Sequence, residues 1–473
     1  MSALGQLAGR RILFLNWRDL SNPAAGGAEA YAEQIARRFS SAGALLTLFT
    51  ATYKDAPPHD WLNGYLVVRE GGRFGVYRAA ARHLRRYGHR YDVIVDFQNG
   101  IPFFAPLSVP ASTAVVCVIH HVHQAQFDMY FPWPLNYVGR LLEGRATRRV
   151  YRDRSFVAVS PSTRAEMRQQ LGLREPVYIV PNGIDPAPPG QAPRSPSPSI
   201  AVVTRLTPHK QLHHLVQAVP ELISRWPDLH VDIAGIGPAR DSLLAQVRQL
   251  GLERAVTLPG RVPEQVKNDL LSRAWLTVAP SLAEGWGLTV LEANTLGTPA
   301  VAYDVPGLRD AVRDGVTGWL VPPDEGLATA VTKALEELEL PAQRQLYADR
   351  ARAWAARFSW DATAERLARV LLAEMRDREL GSPSRRRAVD LATVASWPAG
   401  GDLDLDDIEL RLRKGLRVTD AISRTADGLS VLLIGCDELG AAAALSRARV
   451  PAARLRLSTT TGVLCGTGEG DPA

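Results

Sequence analysis

Cysteine is scarce in this chain: three residues in 473, Cys117, Cys436 and Cys465, widely separated and odd in number. That count excludes a disulfide framework and a zinc site built on paired cysteines. No apolar run reaches the roughly 18 to 20 residues that a membrane-spanning helix requires. Residues 1–11 hold no apolar segment that could direct secretion. Paired Cys/His ligands and other nucleic-acid motifs are also missing, so no nucleic acid is expected as a partner. These absences give the expectation of a cytoplasmic protein.

What is present is an ordinary globular balance, 46% hydrophobic and 22% charged, with a net charge of +6. The positive balance fits an anionic partner, such as a phosphorylated substrate or an anionic membrane face. At 473 residues, two or three domains are expected. In residues 1–185, apolar runs at 12–17, 45–50, 65–70, 92–97, 113–120, 155–160 and 176–181 alternate with helical patterns. Near-continuous apolar strands between helices predict a parallel sheet covered on both faces, a Rossmann-like α/β domain. Residues 186–199, rich in proline, serine and alanine, read as an interdomain linker without sheet or helix. The pattern restarts with strands at 200–205, 230–235, 255–260, 275–279, 299–304 and 318–321, predicting a second such domain over 200–357.

The turns between these elements carry the chemistry. An apolar run stops at Pro280 and Ser281, a turn with Glu284, Gly285, Trp286 and Gly287 follows, and a helical pattern begins at Leu288. A helix start offers unpaired N–H groups and a positive dipole end, which suits a phosphate, and glycines let a ligand approach the backbone. Glu284 in the turn and Glu292 in the helix frame it, placed to accept hydrogen bonds from sugar hydroxyls. Gly26 and Gly27 open a helix after the first strand, at the sheet edge where ligands of open α/β sheets bind. Arg205 and Lys210 flank the first turn of the second half, and Gly235 and Gly237 form its next one. The strand at 113–120 ends in His120, His121 and His123, whose spacing lacks the i, i+4 pairing of helical zinc motifs, so no metal is expected.

Glu284-Gly285-Trp286-Gly287-Leu288 through Leu291-Glu292-Ala293, followed by Gly297-Thr298-Pro299, resembles the donor-site signature of glycosyltransferase family 4, retaining enzymes of GT-B fold. The resemblance spans about residues 11–374, through Gly26-Gly27-Ala28-Glu29, Pro181-Asn182-Gly183-Ile184-Asp185 and Arg205-Leu206 with Lys210. It implies two Rossmann-like domains facing across a cleft, a nucleotide-diphosphate sugar as donor, and neither cofactor nor metal. Arg205 and Lys210 would face the diphosphate, with Gly26 and Gly27 near it and near the reacting centre. Glu292 would hold the ribose and Glu284 the sugar, beside Gly285, Trp286, Gly287 and Leu288. One histidine at the strand end would contact the sugar, His120 being the first choice and His121 the second. Val262, after Gly260 and Arg261, would border the base, near Gly235 and Gly237. The resemblance implies retention of configuration without an assigned protein nucleophile. Epimerases and phosphorylases share such architectures, but the set of Arg205, Lys210, Glu284 and Glu292 argues against both. A catalytically silent nucleotide-sugar-binding protein acting through its tail is the alternative.

Two basic aromatic segments stand out. Residues 73–87 place Phe74, Tyr77, Ala81, His83 and Leu84 broadly on one side of a helix with arginines around the rest; residues 133–154 combine Trp133, Leu135 and Tyr137 with Arg145, Arg148, Arg149, Arg152 and Arg154. Each reads as a solvated helix or as peripheral contact with an anionic membrane, at the inner face of the plasma membrane. The second reading carries the expectation of a lipid-linked or cell-envelope glycan acceptor. Residues 124–134 read as an acceptor-side loop. Residues 358–378 resemble the family's last helix, which crosses back to the first domain. Residues 388–473 form a separate α+β appendage resembling a truncated diguanylate cyclase (GGDEF) domain, with Thr425-Ala426-Asp427-Gly428-Leu429 where Gly-Gly-Asp-Glu-Phe would stand. The catalytic acid and nucleotide-admitting glycines are gone, so cyclase activity is not expected. The acidic run 402–407 reads as a solvated loop.

Overall fold

Strands rich in Val, Ile, Leu and Phe with no polar face need helices on both sides of their sheet. The first eight strands are β1 (Arg11–Leu15), β2 (Leu45–Thr50), β3 (His59–Leu62), β4 (Tyr65–Arg69), β5 (Val93–Gln98), β6 (Ala114–Ile119), β7 (Ser155–Ala158) and β8 (Val177–Ile179), and the central ones, β1, β5 and β6, meet this condition while β3 at the edge does not. The computed structural model describes residues 2–459 apart from 174, 189–191, 380–390, 401–402, 418–419 and 437. In it these strands form one sheet in the order β3-β4-β2-β1-β5-β6-β7-β8. Every pairing is parallel except β3 with β4. Of that hairpin only β3 lies outside the expected strands; its two-residue turn, Asn63-Gly64, has positive φ at both positions, the backbone a tight hairpin turn favours.

The second half repeats the design with β9 (Ser199–Val203), β10 (His230–Ala234), β11 (Val256–Gly260), β12 (Thr277–Ala279), β13 (Ala300–Tyr303) and β14 (Gly318–Val321). Two three-stranded sheets, β11-β10-β9 and β12-β13-β14, join through a parallel bridge between Ile200 and Leu276. Both halves are therefore doubly wound, with the order reversing between β1 and β5 and between β9 and β12. Ligands of open α/β sheets bind at such reversals, beyond the strands' carboxyl ends.

Helix Gly27–Ser41 buries Tyr31, Ile35 and Phe39 on one face of the first sheet, beside the returning helix Trp360–Glu379. Helix Val76–Tyr87 covers the other face with Val76, Ala79, Ala80 and Leu84. This differs from the expected face: Phe74 lies before the helix and is 68% exposed, because the turn at Gly71–Gly75 delays helix entry to Val76. Residues 124–134 are likewise not an open loop, since Gln124–Tyr130 is a helix. Its Phe127 packs so closely on Gly139 that no side chain fits there.

Two chain crossings connect the halves side by side. Ile184 donates its N–H to the Phe358 carbonyl at 2.8 Å, and a Cβ on Gly183 would overlap the backbone of Trp360. Thr363 Oγ1 donates to the Pro181 carbonyl at 2.8 Å, and Ser155 Oγ donates to Glu374 at 2.7 Å, so the returning helix is fastened to the first sheet. The 186–199 segment is fastened too: Arg194 donates to Thr298 Oγ1 at 2.6 Å and to the carbonyls of Ala274 and Gly297, and Ser199 opens β9 instead of staying outside the sheet.

The appendage comprises β15 (Leu391–Pro398), helix Leu405–Gly415, β16 (Ala421–Thr425), β17 (Gly428–Ile434), helix Glu438–Arg447 and β18 (Arg454–Thr459). Its antiparallel sheet has the order β16-β17-β15-β18, a βαββαβ ferredoxin-like arrangement. Thr425-Ala426-Asp427-Gly428 forms the β16–β17 hairpin. The acidic run does not stay a loop, because Asp404 accepts hydrogen bonds from the N–H groups of Asp406 and Asp407 and caps the following helix. Residues 388–390 and 460–473, with Cys465, lie outside the described residues. Among the described residues no helix is long and apolar enough to cross a membrane.

Candidate active site

The site grows from the reversal point of the second sheet. After β9, Arg205 is exposed at the cleft, and a short turn over Pro208–Lys210 leads to Gln211 in left-handed backbone, where helix Leu212–Arg225 starts. The turn after β10 supports this loop: Leu206 donates its N–H to the Ile236 carbonyl at 2.9 Å, and Ala239 donates to the Leu206 carbonyl at 2.9 Å. Gly235 and Gly237, at φ +145° and +157°, permit the approach, since a Cβ on either would overlap the carbonyl of Thr204 or Leu206. In the structure they therefore position the Arg205 turn by close packing.

Beyond β12, Lys210 forms an ion pair with Glu284, whose Oε1 also accepts from Ser281 Oγ at 2.9 Å. The two charged side chains are only 11% and 19% exposed. Burial pushes the Glu284 carboxyl up, but the Lys210 ammonium, with the hydrogen bonds from Lys210 and Ser281, more than offsets this and lowers its pKa. Glu284 is therefore a carboxylate at neutral pH. A small recess of about 10 Å³ lies beside this pair, lined among others by Thr204, Lys210, Ser281, Glu284 and Thr289. Gly287, at φ +78°, precedes helix Leu288–Thr295. Glu292 on that helix is 34% exposed and 3.4 Å from Lys267 Nζ. Burial raises its pKa; Lys267 opposes the shift and Glu264 adds to it. Val262 is half-buried in the turn after β11.

The first domain closes over this set. The guanidinium of Arg205 lies 3.5 Å from the place a Gly26 Cβ would take, and Leu288 Cδ1 lies 3.1 Å from that of Gly27. The Gly26 N–H is held by Glu29 Oε2 at 2.7 Å, which orients the start of helix Gly27–Ser41. At the end of β6, the His120 carbonyl stands where a side chain on Gly285 would project. Thr163 Oγ1 donates to the Gly285 carbonyl at 3.3 Å, and Ser162 donates its N–H to Asp310 at 3.0 Å. Tyr130 OH lies 3.4 Å from His209 Nδ1, a further contact across the cleft.

The His120 ring is stacked on Phe97 at 6.0 Å and edge-on to Tyr31 at 4.9 Å, and its buried Nε2 has no hydrogen-bond partner. An unsatisfied buried nitrogen costs stability and is a candidate contact for a ligand hydroxyl. His121 has Gln126 at 3.0 Å from Nε2 and an unpartnered Nδ1. Burial, aided by repulsion from His123, lowers both rings from 6.5 to about 3. Each is neutral at physiological pH. Between pH 6.5 and 3 the unfolded chain binds protons that these folded rings refuse. Stability is thus complete above pH 6.5 and falls on acidification; Tm is expected to drop between pH 7 and 5, and less in His120→Asn. An unchanged pH slope in the variant would remove this account of His120.

The structure thus brings Gly26, Gly27, His120, Arg205, Lys210, Glu284, Gly285 and Leu288 to one cleft. Trp286 is different: its side chain is buried in the core against Phe358, at 5.0 Å, so only its backbone belongs to the turn. Ser281, Thr163 and Asp310 were not foreseen. Ser281 stands three residues before Glu284 and was visible as a neighbour in sequence. Thr163 and Asp310 have no local signal, since their partners come from the opposite domain.

Two doubly wound domains meeting at their strand ends, with cations and a carboxylate in the cleft, define a GT-B protein. Residues 25–188 match the family model described as Glycosyltransferase Family 4, and residues 187–354 that of Glycosyl transferases group 1. A D-inositol 3-phosphate glycosyltransferase of Thermobispora bispora is 30% identical over 401 residues, covering 73% of this chain and 89% of its own. A glycogen synthase of Mycobacterium tuberculosis is 31% identical over 275 residues, 57% of this chain; the match spans 66% of that relative's length. A sucrose-phosphate synthase from Thermosynechococcus elongatus superposes with a TM-score of 0.65 at 19% identity, over 79% of this chain and 100% of that one, a likeness of fold. The chain belongs to the group 1, family 4 glycosyltransferases.

Proposed function

We propose that the protein transfers a sugar, with retention of configuration, from a nucleotide-diphosphate sugar to a glycan or lipid-linked acceptor. The convergence of Arg205, Lys210, Glu284 and the Gly26–Gly27 helix start on one cleft carries this reading. The bond from the anomeric carbon to the diphosphate breaks, the bond to an acceptor hydroxyl oxygen forms, and that hydroxyl's proton passes to the departing phosphate. Arg205, Lys210 and N–H groups at helix starts would take up the charge that develops on the leaving group. Glu284 would accept from the sugar hydroxyls and Glu292 from the ribose.

The test is a thermal-shift panel of UDP, GDP, ADP and dTDP with their common sugars. One nucleotide family is expected to raise Tm, and Glu292→Ala to weaken that nucleotide by about tenfold or more, the cost of a lost charge-assisted hydrogen bond. A shift retained in Glu292→Ala would remove Glu292 from the donor site. Transfer or hydrolysis by purified protein distinguishes the enzyme from a silent nucleotide-sugar-binding protein. The appendage fits an interaction or regulatory module, with no cyclase activity expected from its Thr425-Ala426-Asp427-Gly428 hairpin.

The lipid-linked acceptor is supported by a surface of the first domain. Trp133 is 82% exposed, and Leu135, Tyr137, Val138 and Leu141 are exposed with it. The same stretch continues with exposed Arg145, Arg148 and Arg149 in its helical part and Arg152 in the turn that follows. Apolar side chains beside cations match the boundary of an anionic bilayer. Co-sedimentation with phosphatidylglycerol vesicles is expected to exceed that with phosphatidylcholine, and to fall several-fold in Trp133→Ser with Arg149→Gln. Equal binding to both vesicle types would leave this surface without a membrane role.

A further inference from the structure

Cations gather in the cleft beyond what a diphosphate leaving group requires, and the excess belongs to the first domain. The loop leaving β1 carries Trp17 and Arg18, and the segment leaving β4 carries Arg73. The Arg18 guanidinium lies 4.3 Å from the Trp17 ring centroid and that of Arg73 5.9 Å from the same ring. Trp17 Nε1 donates to the Arg73 carbonyl at 2.8 Å, locking the two segments together. Arg18 donates to the Ala24 carbonyl in the loop that ends at Gly26, and Gly26 is where Arg205 of the second domain stands. None of Arg18, Arg73 and Arg205 forms an ion pair with a carboxylate among the described residues. Glu29, whose carboxylate acts on Arg18 electrostatically, is buried and accepts the Gly26 N–H.

Burial is the largest cause of the lowered Arg18 pKa; the Glu29 carboxylate opposes it, and repulsion from Arg205 and Arg73 adds to it. An anion placed among these cations would relieve that repulsion. A further unsatisfied donor stands at the same strand end: Asn16 is fully buried, with Nδ2 unpartnered while its Oδ1 accepts from Asn99 and from the Trp17 N–H.

We propose that Arg18 and Arg73 form a second anion subsite, on the first domain's side of the cleft, for a phosphate carried by the acceptor. The inference rests on the donor reading above, which assigns Arg205 and Lys210 to the leaving diphosphate. Those two belong to the second domain, whereas Arg18 and Arg73 belong to the domain that faces the acceptor. Planar guanidinium forks fit a phosphate monoester or diester better than a single carboxylate, because each can donate to two oxygens. The acceptor is therefore a phosphorylated sugar or polyol, or a lipid headgroup bearing phosphate.

The experiment titrates inorganic phosphate, glucose 6-phosphate and phosphatidic acid vesicles into the full chain, alone and saturated with the nucleoside diphosphate selected by thermal shift. Phosphate is expected to bind the nucleotide-saturated protein and to bind about tenfold to a hundredfold more weakly in Arg73→Gln, with a further loss in Arg18→Gln/Arg73→Gln. Nucleotide affinity should change less than about twofold. Arg73-dependent binding of glucose 6-phosphate assigns a soluble acceptor, and Arg73-dependent binding of vesicles alone assigns a lipid; either supports the subsite. Phosphate binding indifferent to both substitutions overturns it, as does phosphate binding abolished by saturating nucleotide, which would place the anion in the donor site. Nucleotide binding lost from the wild type while Arg73-dependent phosphate binding persists would instead count against the donor reading. Arg73 is exposed, so its replacement leaves the core untouched.

Discussion

Replacement of Lys210 by methionine is expected to lower kcat/KM by about 10² to 10³, the usual cost of removing one group that stabilises developing charge. The effect has two parts. The ammonium is lost to the leaving diphosphate, and Glu284 loses the cation that keeps it ionised. In the wild type burial raises the Glu284 carboxyl and Lys210 more than compensates. Without Lys210 burial is opposed only by the Ser281 hydrogen bond and by His209, so the carboxyl titrates at higher pH and the activity profile shifts to the alkaline side. Arg205→Ala separates these parts, because Arg205 is exposed and forms no ion pair with Glu284: a comparable fall in rate is expected with no shift of the profile. A Lys210→Met enzyme with wild-type kcat/KM, measured under steady-state conditions, would exclude the assigned role.

Gly285→Ala is expected to abolish most turnover while leaving folding and nucleotide binding nearly intact. The added methyl would overlap the His120 carbonyl and lie 3.6 Å from Val159 Cγ2, both in the first domain. The three atoms nearest to it all belong to the first domain, so the second domain should fold normally and the two should fail to close. Separation by about 1 Å is enough to cost on the order of 10² in rate. Gly27→Ala is the matched control: its Cβ meets only Leu288 Cδ1, at 3.1 Å, and a flexible side chain can yield. Kinetics with calorimetric nucleotide binding would check the pair; a Gly285→Ala enzyme that turns over normally would show that closure to this distance is not required.

Much of the second domain was legible locally. Apolar runs bounded by Gly and Pro announced strands, and the Glu284–Gly287 turn announced a helix start, because both signals depend on neighbours in sequence. The strand His59–Leu62 was missed because Trp61 and Asp60 do not alternate cleanly with apolar residues, although Asn63-Gly64 before the expected 65–70 strand was a readable turn signal. The 124–130 helix was missed because its stability comes from Phe127 against Gly139, a contact made by a later helix. Trp286 was placed with the ligand because its neighbours are, yet the turn aims its ring inward onto Phe358.

By itself, then, the sequence determined that two doubly wound α/β halves exist, where each presents glycines, cations and carboxylates, and which family these motifs resemble. Periodicity and turn chemistry are short-range, and they act within a few residues. The tertiary structure alone decided that Lys210 neutralises Glu284, that Gly285 faces the His120 carbonyl and that Arg18 and Arg73 share one tryptophan face near Arg205. Those outcomes depend on the packing of two domains, and packing is set by contacts between residues far apart in the chain.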